Sequence, residues 1–309
     1  MPGRVLVAGW SSFLHGEATA GDVASMHTAA AWLAAAGVAH DLAWSPALAA
    51  AWGGVELDAC DPAAYTHLLF VCGPLAGWQV EELCDRFAGA TRVAVGVSVV
   101  AGGAHDRFDT VIARDGVALA PTADLAALPP PRRPWPVAVR IFANPQPEYG
   151  ERSRHDQVHA TITAALDIAS VAVVVADTRL DPREPARRDG AALDGLLRAA
   201  DLVVTTRLHG MVLALRAGTP VVAVDPIAGG AKVTAQAAAL RWPQVLAADG
   251  LTTAQVLGAV EWCSSAAAGA AVAAAATAAT ASAASVRARA LVALGLPGAS
   301  GRPGSTTTA

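Results

Sequence analysis

Two open α/β domains of Rossmann type are the fold class this sequence predicts, and three observations carry that expectation. Short apolar runs bounded by turn residues alternate with longer helical patterns, and the alternation recurs in both halves of the chain. A Pro-rich stretch, LPPPRRPWP at 128–136, separates the halves. At 309 residues the chain also exceeds the size at which a single core usually divides.

In the first half RVLVAG (4–9), HDLAW (40–44), HLLFVC (67–72), RVAVGVSVV (92–100) and TVIAR (110–114) read as strands. A helix is predicted from Asp22 to Ala36, closed by Gly37 in the left-handed position that favours glycine, and another from Trp78 to Phe87. The prolines then fix φ and remove backbone donors, which sets the domain boundary: an N-terminal domain over 1–130 and a C-terminal domain over 131–263.

In the second half VAVRIFA (137–143), VAVVVA (171–176), DLVVTT (201–206), PVVAVD (220–225) and VLAA (245–248) read as strands. Helices near 153–168, 190–200, 208–217 and 231–240 separate them. Residues 264–309 form the last segment. From Ser264 to Ser285 it is almost all Ala, Ser, Thr and Gly, long enough to span a bilayer but with little transfer energy, so a terminal helix and then a disordered tail are expected. Two such domains would turn the carboxyl edges of their sheets towards a shared cleft, a glycosyltransferase-B-like arrangement.

Composition narrows the function classes. Hydrophobic residues make up 54% but aromatics only 5%, and the excess is mostly alanine, which fits small-residue packing rather than a membrane protein. A net charge of −4 without a basic stripe argues against a nucleic-acid partner. MPGRVLVAG enters a strand directly, so a cytoplasmic protein without a membrane span is expected. Cys60, Cys72, Cys84 and Cys263 show no CxxC spacing, so neither a zinc site nor a disulfide framework is indicated; no metal or cofactor is called for. Lys232 is the only lysine among 22 Lys and Arg residues, and Asn144 the only asparagine.

The stretch TTRLHGMVLALRAGTP (205–220) places Arg207 and His209 between a strand and a helix. The helix starts at the carboxyl edge of the sheet, where its unpaired N–H groups and dipole favour an anion. Thr206 ends the strand, Arg207 adds a planar fork for a carboxylate or phosphate, and Gly210 would let a ligand approach the backbone. His209 could donate a proton near neutral pH. Lys232 follows Gly229 and Gly230 at a second strand-to-helix turn. FANPQPEYGERSRHD (142–156) follows the first strand of this domain and gathers Asn144, Gln146, Tyr149, Arg152, Arg154 and His155 in a polar loop suited to sugar recognition. DTRLDPRE (177–184) is a similar loop. In the first domain Asp22 stands at a helix start, a common capping position.

DLVVTTRLHGMVLALRAGTPVVAVDPIAGGAKVTAQ (201–236) closely resembles the signature of the polysaccharide pyruvyl transferase family, through Asp201, Arg207, Leu208, His209, Gly210, Gly218, Pro220 and Lys232. VIARD (111–115) is similar to the family's Arg-Asp element, Asp124 with Leu125 resembles the end of its first domain, and GWSSFLHGEATAGD (9–22) looks like its glycine loop. That loop lacks the asparagine usual before Gly-Asp and holds His15, Gly16, Glu17 and Thr19 instead, while Ala118 stands where a serine is usual.

The resemblance implies a transferase that moves a pyruvyl group from phosphoenolpyruvate to hydroxyls of a glycan or glycosylated acceptor. The second domain would then hold the donor and the first the acceptor. Thr206, Arg207, the helix start at 208–210 with Gly210, Gly229, Gly230, Lys232, Asn144 and Arg114 would bind substrate with His15 and Glu17, His209 would protonate the donor, and Asp22 or Glu17 would be the acceptor's base. Two other readings stay open on the residues alone: a glycosyltransferase using a nucleotide sugar, and a non-catalytic anion- or sugar-binding protein.

Overall fold

The computed structural model describes residues 3–14, 18–116, 120–129, 135–185 and 188–296. The chain divides into two compact units, Met1–Pro134 and Trp135–Ala309.

In the first unit the strands are β1 (Arg4–Gly9), β2 (Ala39–Trp44), β3 (Val55–Glu56), β4 (His67–Val71), β5 (Thr91–Val99) and β6 (Thr110–Gly116). They pair in the order β3-β2-β1-β4-β5-β6, all parallel, which is the doubly wound dinucleotide-fold order. The helices are α1 (Ala20–Ala35), α2 (Pro46–Trp52) and α3 (Trp78–Arg86). Alternation along the central strands sorts the core onto two faces. Leu6, Leu68, Phe70 and Ala94 meet Val80, Leu83 and Phe87 of the α3 segment on one face. Val5, Val7, Val71 and Val95 cluster with Met26 and Ala29 of α1 on the other. Gly37 does take a left-handed φ of 69° just after α1.

In the second unit the strands are β7 (Val137–Ile141), β8 (Ala172–Ala176), β9 (Leu202–Thr205), β10 (Val221–Asp225) and β11 (Val245–Ala247). The order is β11-β10-β9-β7-β8, again all parallel, so the chain reverses its winding direction between β7 and β9. The helices are α4 (His155–Ile168), α5 (Gly190–Ala199), α6 (Leu208–Ala217), α7 (Lys232–Ala239), α8 (Thr253–Cys263) and α9 (Ala266–Ala293). Val139, Ile141, Val203 and Val221 pack on Leu193, Leu197 and Met211 of α5 and α6. Ala138, Leu202, Val204 and Val222 pack on Val158, Ile162, Val256 and Val260 of α4 and α8.

The α/β expectation therefore holds in both units. The sequence patterns missed α2, the two-residue β3 and α8. The terminal helix is present, and it joins the second unit through Ala268, Val272 and Ala275, which are buried. Its mean hydropathy reaches 1.4 over a membrane-length window, of which 17% is buried. The expected tail (298–309) lies outside the described residues.

Candidate functional site

In an open parallel sheet, a ligand crevice forms where the winding direction reverses, beyond the carboxyl ends of the two strands concerned. In the first unit that place lies between β1 and β4, and Trp10 covers it: its indole Nε1–H donates to the Pro74 carbonyl at 3.2 Å, and its ring packs edge-on against Phe13. In the second unit it lies between β7 and β9 and is open. A cavity of about 440 Å3 stands there, lined by Asn144, Gln146, Tyr149, Thr206, Arg207 and His209, with Asp225 and Lys232 on the far side.

Each wall has a local cause. Thr205, the last residue of β9, donates its hydroxyl to the Ile141 carbonyl at 2.7 Å and accepts the Arg207 N–H at 3.0 Å, which turns the chain from strand into helix. Arg207 is the N-cap residue of α6 and offers no side-chain cap. The N–H groups of the helix's first turn have no intrahelical acceptor, whereas α1, α5, α8 and α9 have theirs capped by Thr19, Asp189, Thr252 and Ser265. The start of α6 is thus left open towards the cavity.

The opposite helix end is closed. Asp225, fully buried at the end of β10, accepts the Ala231 and Thr234 N–H groups on one oxygen at 2.7 and 2.9 Å and the Ile227 N–H on the other. Between them Gly229 and Gly230 take φ of 75° and 78°, the left-handed turns that fold the loop back onto α7. Neither glycine lines the cavity. Gly229 N–H is bound by Asp249 at 2.8 Å, so the pair shapes the loop that carries Lys232.

Arg207 is anchored rather than free: Nε and Nη2 donate to the Phe142 carbonyl at 3.4 and 3.3 Å, and Nη2 lies 3.6 Å from Asp177. Burial opposes ionisation of Asp177, but hydrogen bonds from Arg179 and the nearby Arg207 charge outweigh it and hold the carboxyl below its usual range. Lys232 Nζ donates to Gln146 Oε1 at 2.5 Å and lies 5.8 Å over the Tyr149 ring. His209 is exposed and has no hydrogen-bond or ion-pair partner among the described residues.

Two histidines of α4 support the cavity wall, and His155 also lines the cavity. The His159 ring stacks flat on Phe142, centroids 4.0 Å apart, and Nε2 meets the Thr206 hydroxyl at 3.1 Å. That hydroxyl also accepts the Ala143 N–H at 2.8 Å, so Thr206 shapes the wall more than it reaches inward. Burial lowers the His155 pKa and pushes that of His159 down to about 4, so both rings stay neutral near pH 7.

The structure thus brings Asn144, Thr206, Arg207, His209 and Lys232 to one cavity. For Gly210 the structure gives a different reason than the expected one: it is buried against Thr205, where a Cβ would stand 2.3 Å from Oγ1, so close helix–strand packing demands a glycine, and Gly210 does not line the cavity. Arg114 and Asp22 belong to the first unit. Arg114 spends its guanidinium on Asp115, Asp124 and Ser98. Asp22 Oδ2 accepts the Thr19 N–H and hydroxyl in a capping box at the start of α1. His15, Glu17 and Ala118 lie outside the described residues.

Sequence reasoning missed Asp225 and His159, and noted Arg179 only as part of a polar loop. For Asp225 a signal existed: a carboxylate ending a fully apolar strand before Pro226 must find N–H partners nearby.

Residues 159–226 match the polysaccharide pyruvyl transferase family model. The matched segment starts at His159, carries Asp177, Arg179, Thr206, Arg207 and His209, and ends just past Asp225; Lys232 lies beyond it. The pyruvyl transferase resemblance read from the Arg-Leu-His-Gly turn is therefore borne out over this part of the chain.

No curated protein matches. Among solved structures, the glycotransferase of kitacinnamycin is similar at 14% identity and TM-score 0.34, over 96% of this chain and 100% of that one. Spinosyn rhamnosyltransferase SpnG, complexed with spinosyn aglycone, is 14% identical at TM-score 0.34 over 90% and 96%. E. coli heptosyltransferase WaaC with ADP is 13% identical at TM-score 0.28 over 84% and 99%. The fold assignment rests on the strand orders above.

Proposed function

We propose that the protein is a cytoplasmic transferase that moves a pyruvyl group from phosphoenolpyruvate to hydroxyls of a sugar-containing acceptor. The observation that carries this reading is the uncapped start of α6, flanked by Arg207, His209 and Lys232 around one cavity, within and beside the segment that matches the family. Phosphoenolpyruvate carries a carboxylate and a phosphate on one three-carbon unit. An open helix N-terminus with two cations suits such a ligand.

In the reaction, His209 gives a proton to the vinyl CH2 carbon, and the adjacent carbon becomes oxocarbenium-like. One acceptor hydroxyl bonds to that carbon and releases its proton. The proton released by the first hydroxyl restores His209; a second hydroxyl then displaces phosphate, which leaves with the C–O electron pair and takes up that hydroxyl's proton as hydrogen phosphate, and a pyruvyl ketal remains. Arg207 and the α6 N–H groups hold the donor's charge while phosphate departs. A positioned acid contributes roughly 10²–10⁴-fold to such a step.

The same open helix end would also suit the diphosphate of a nucleotide sugar, the second reading. Incubation with phosphoenolpyruvate and a panel of glycosides in D2O separates the two. Pyruvyl transfer yields inorganic phosphate and a ketal whose methyl group carries deuterium, and His209→Gln slows it by roughly 10²–10⁴-fold. Sugar transfer from nucleotide sugars, with no phosphate release from phosphoenolpyruvate, would reject the reading.

A further inference from the structure

Beside the anion cavity, within the same unit, a second cavity of about 440 Å3 lies along β7 and β8. Register pairs Arg140 with Val175, so the two stand side by side on one face of the sheet. β8 is the outer strand, and Val175 is 67% exposed there. Asp177 and Glu184 rise from the loop after β8. Asn144 and Arg179 line this cavity and the anion cavity alike, which makes them the wall between the two.

The linings differ in chemistry. The anion cavity sets Arg179, Arg207 and Lys232 against one carboxylate, Asp225, whose oxygens are occupied by N–H groups and the Thr234 hydroxyl. The second cavity sets two guanidiniums, Arg140 and Arg179, against two carboxylates, Asp177 and Glu184, with Arg179 and Asp177 already paired at 2.7 Å and the Asn144 amide in the lining. An anion gains little from a balanced set. A polyhydroxy ligand gains from it, because each hydroxyl both donates and accepts. Val175 supplies the apolar surface that the C–H face of a sugar ring needs.

Arg140 adds an independent sign. It has no carboxylate partner among the described residues; Nη1 donates to Thr163 Oγ1 at 3.2 Å, while Nε is buried with no acceptor. The guanidinium lies 4.8 Å over the Phe142 ring, which fixes its plane. A guanidinium at a cavity wall with no carboxylate of its own keeps donors to offer a ligand.

We infer that this cavity is the acceptor subsite and that it takes an uncharged sugar ring, whose reacting hydroxyl is directed past Asn144 and Arg179 to the donor. The inference rests on the pyruvyl-transfer reading. It moves the acceptor from the first unit, where the sequence pointed, onto the unit that holds the donor.

The test is saturation-transfer NMR on the full chain with excess phosphoenolpyruvate, using methyl α-glucoside, methyl α-galactoside, methyl α-mannoside and, as a charged comparator, methyl glucuronide. Val175→Trp fills the cavity from an exposed position, and Arg140→Gln removes the cation. Thermal stabilisation by phosphoenolpyruvate reports folding and donor binding in each variant. The expected result is transfer to at least one neutral glycoside in the wild type, weakened at least tenfold in both variants, with phosphoenolpyruvate stabilisation intact. Undiminished transfer in Val175→Trp, no transfer to any neutral glycoside, or a preference for the glucuronide would overturn the inference. Absence of phosphoenolpyruvate stabilisation in the wild type would strike the pyruvyl reading instead, and the comparison of variants would judge the sugar site alone.

Discussion

Thr205 Oγ1 occupies the space that a side chain on Gly210 would need: a Cβ at position 210 would stand 2.3 Å from it. Thr205 cannot yield, because the same oxygen bonds the Ile141 carbonyl and the Arg207 N–H. The open start of α6 is therefore set by how tightly helix and strand pack.

Gly210→Ala is expected to cost about 1–3 kcal/mol, the usual range for overpacking a dense core. In a Thr205→Ala background the added penalty should fall by more than half, since the clashing oxygen is gone. Denaturant midpoints of the four proteins in this double-mutant cycle check it. Additive penalties would mean the contact does not set the position of the helix.

His159 predicts a pH dependence. Its pKa is about 4 in the folded protein, because burial against Phe142 disfavours the charge, against the ordinary value of 6.5. Between those values the unfolded chain binds more protons than the folded one, so stability rises with pH across this window and is lost as pH falls from about 6.5 to 4. The loss is on the order of 2 kcal/mol. Urea midpoints of wild type and His159→Phe, measured from pH 7 to pH 4, should show a shallower acid decline in the variant. Parallel declines would place the acid sensitivity elsewhere.

Arg114 separates stability from donor binding. Its guanidinium joins Asp115 on β6 to Asp124, whose carboxylate also caps the following turn at Ala126. Arg114→Ala should cost the first unit about 1 kcal/mol, a modest value because the pair is partly solvated. Phosphoenolpyruvate affinity should not change. A tenfold fall in affinity, seen by calorimetric titration, would return Arg114 to the substrate site.

Much of this was legible in the residues because parallel sheets announce themselves. Strands buried on both faces read as apolar runs such as DLVVTT, and α6 over 208–217 follows directly from where that run stops and Gly218 begins. β3 was not legible, since two residues carry no period. α2 was lost because PALAAAW is short and wholly apolar and presents no contrast between faces; α8 was likewise missed. At the site, Arg207 and His209 stood out because charged groups interrupt apolar runs. Asp225 was hidden inside one, and its role depends on N–H groups six and nine residues on. The opening beside β7 depends on strand order, which a sequence does not display. That Arg114 is held by Asp124 and Ser98 is likewise a fact of tertiary contact, whereas the Asp22 cap was open to reading in the sequence.

Donor binding at the start of α6 is the central claim, and thermal melting of wild type and Arg207→Ala, each titrated with phosphoenolpyruvate and separately with nucleoside diphosphates, tests it most directly. A ligand at about 100 times its dissociation constant stabilises the native state by ~2.7 kcal/mol. Removing a hydrogen-bonded charge costs about 1.5–3 kcal/mol of binding, roughly tenfold to more than a hundredfold in affinity. Stabilisation of the wild type by phosphoenolpyruvate, lost in Arg207→Ala, is the predicted result. Stabilisation by nucleoside diphosphates alone, or a phosphoenolpyruvate response unchanged in Arg207→Ala, would contradict the account.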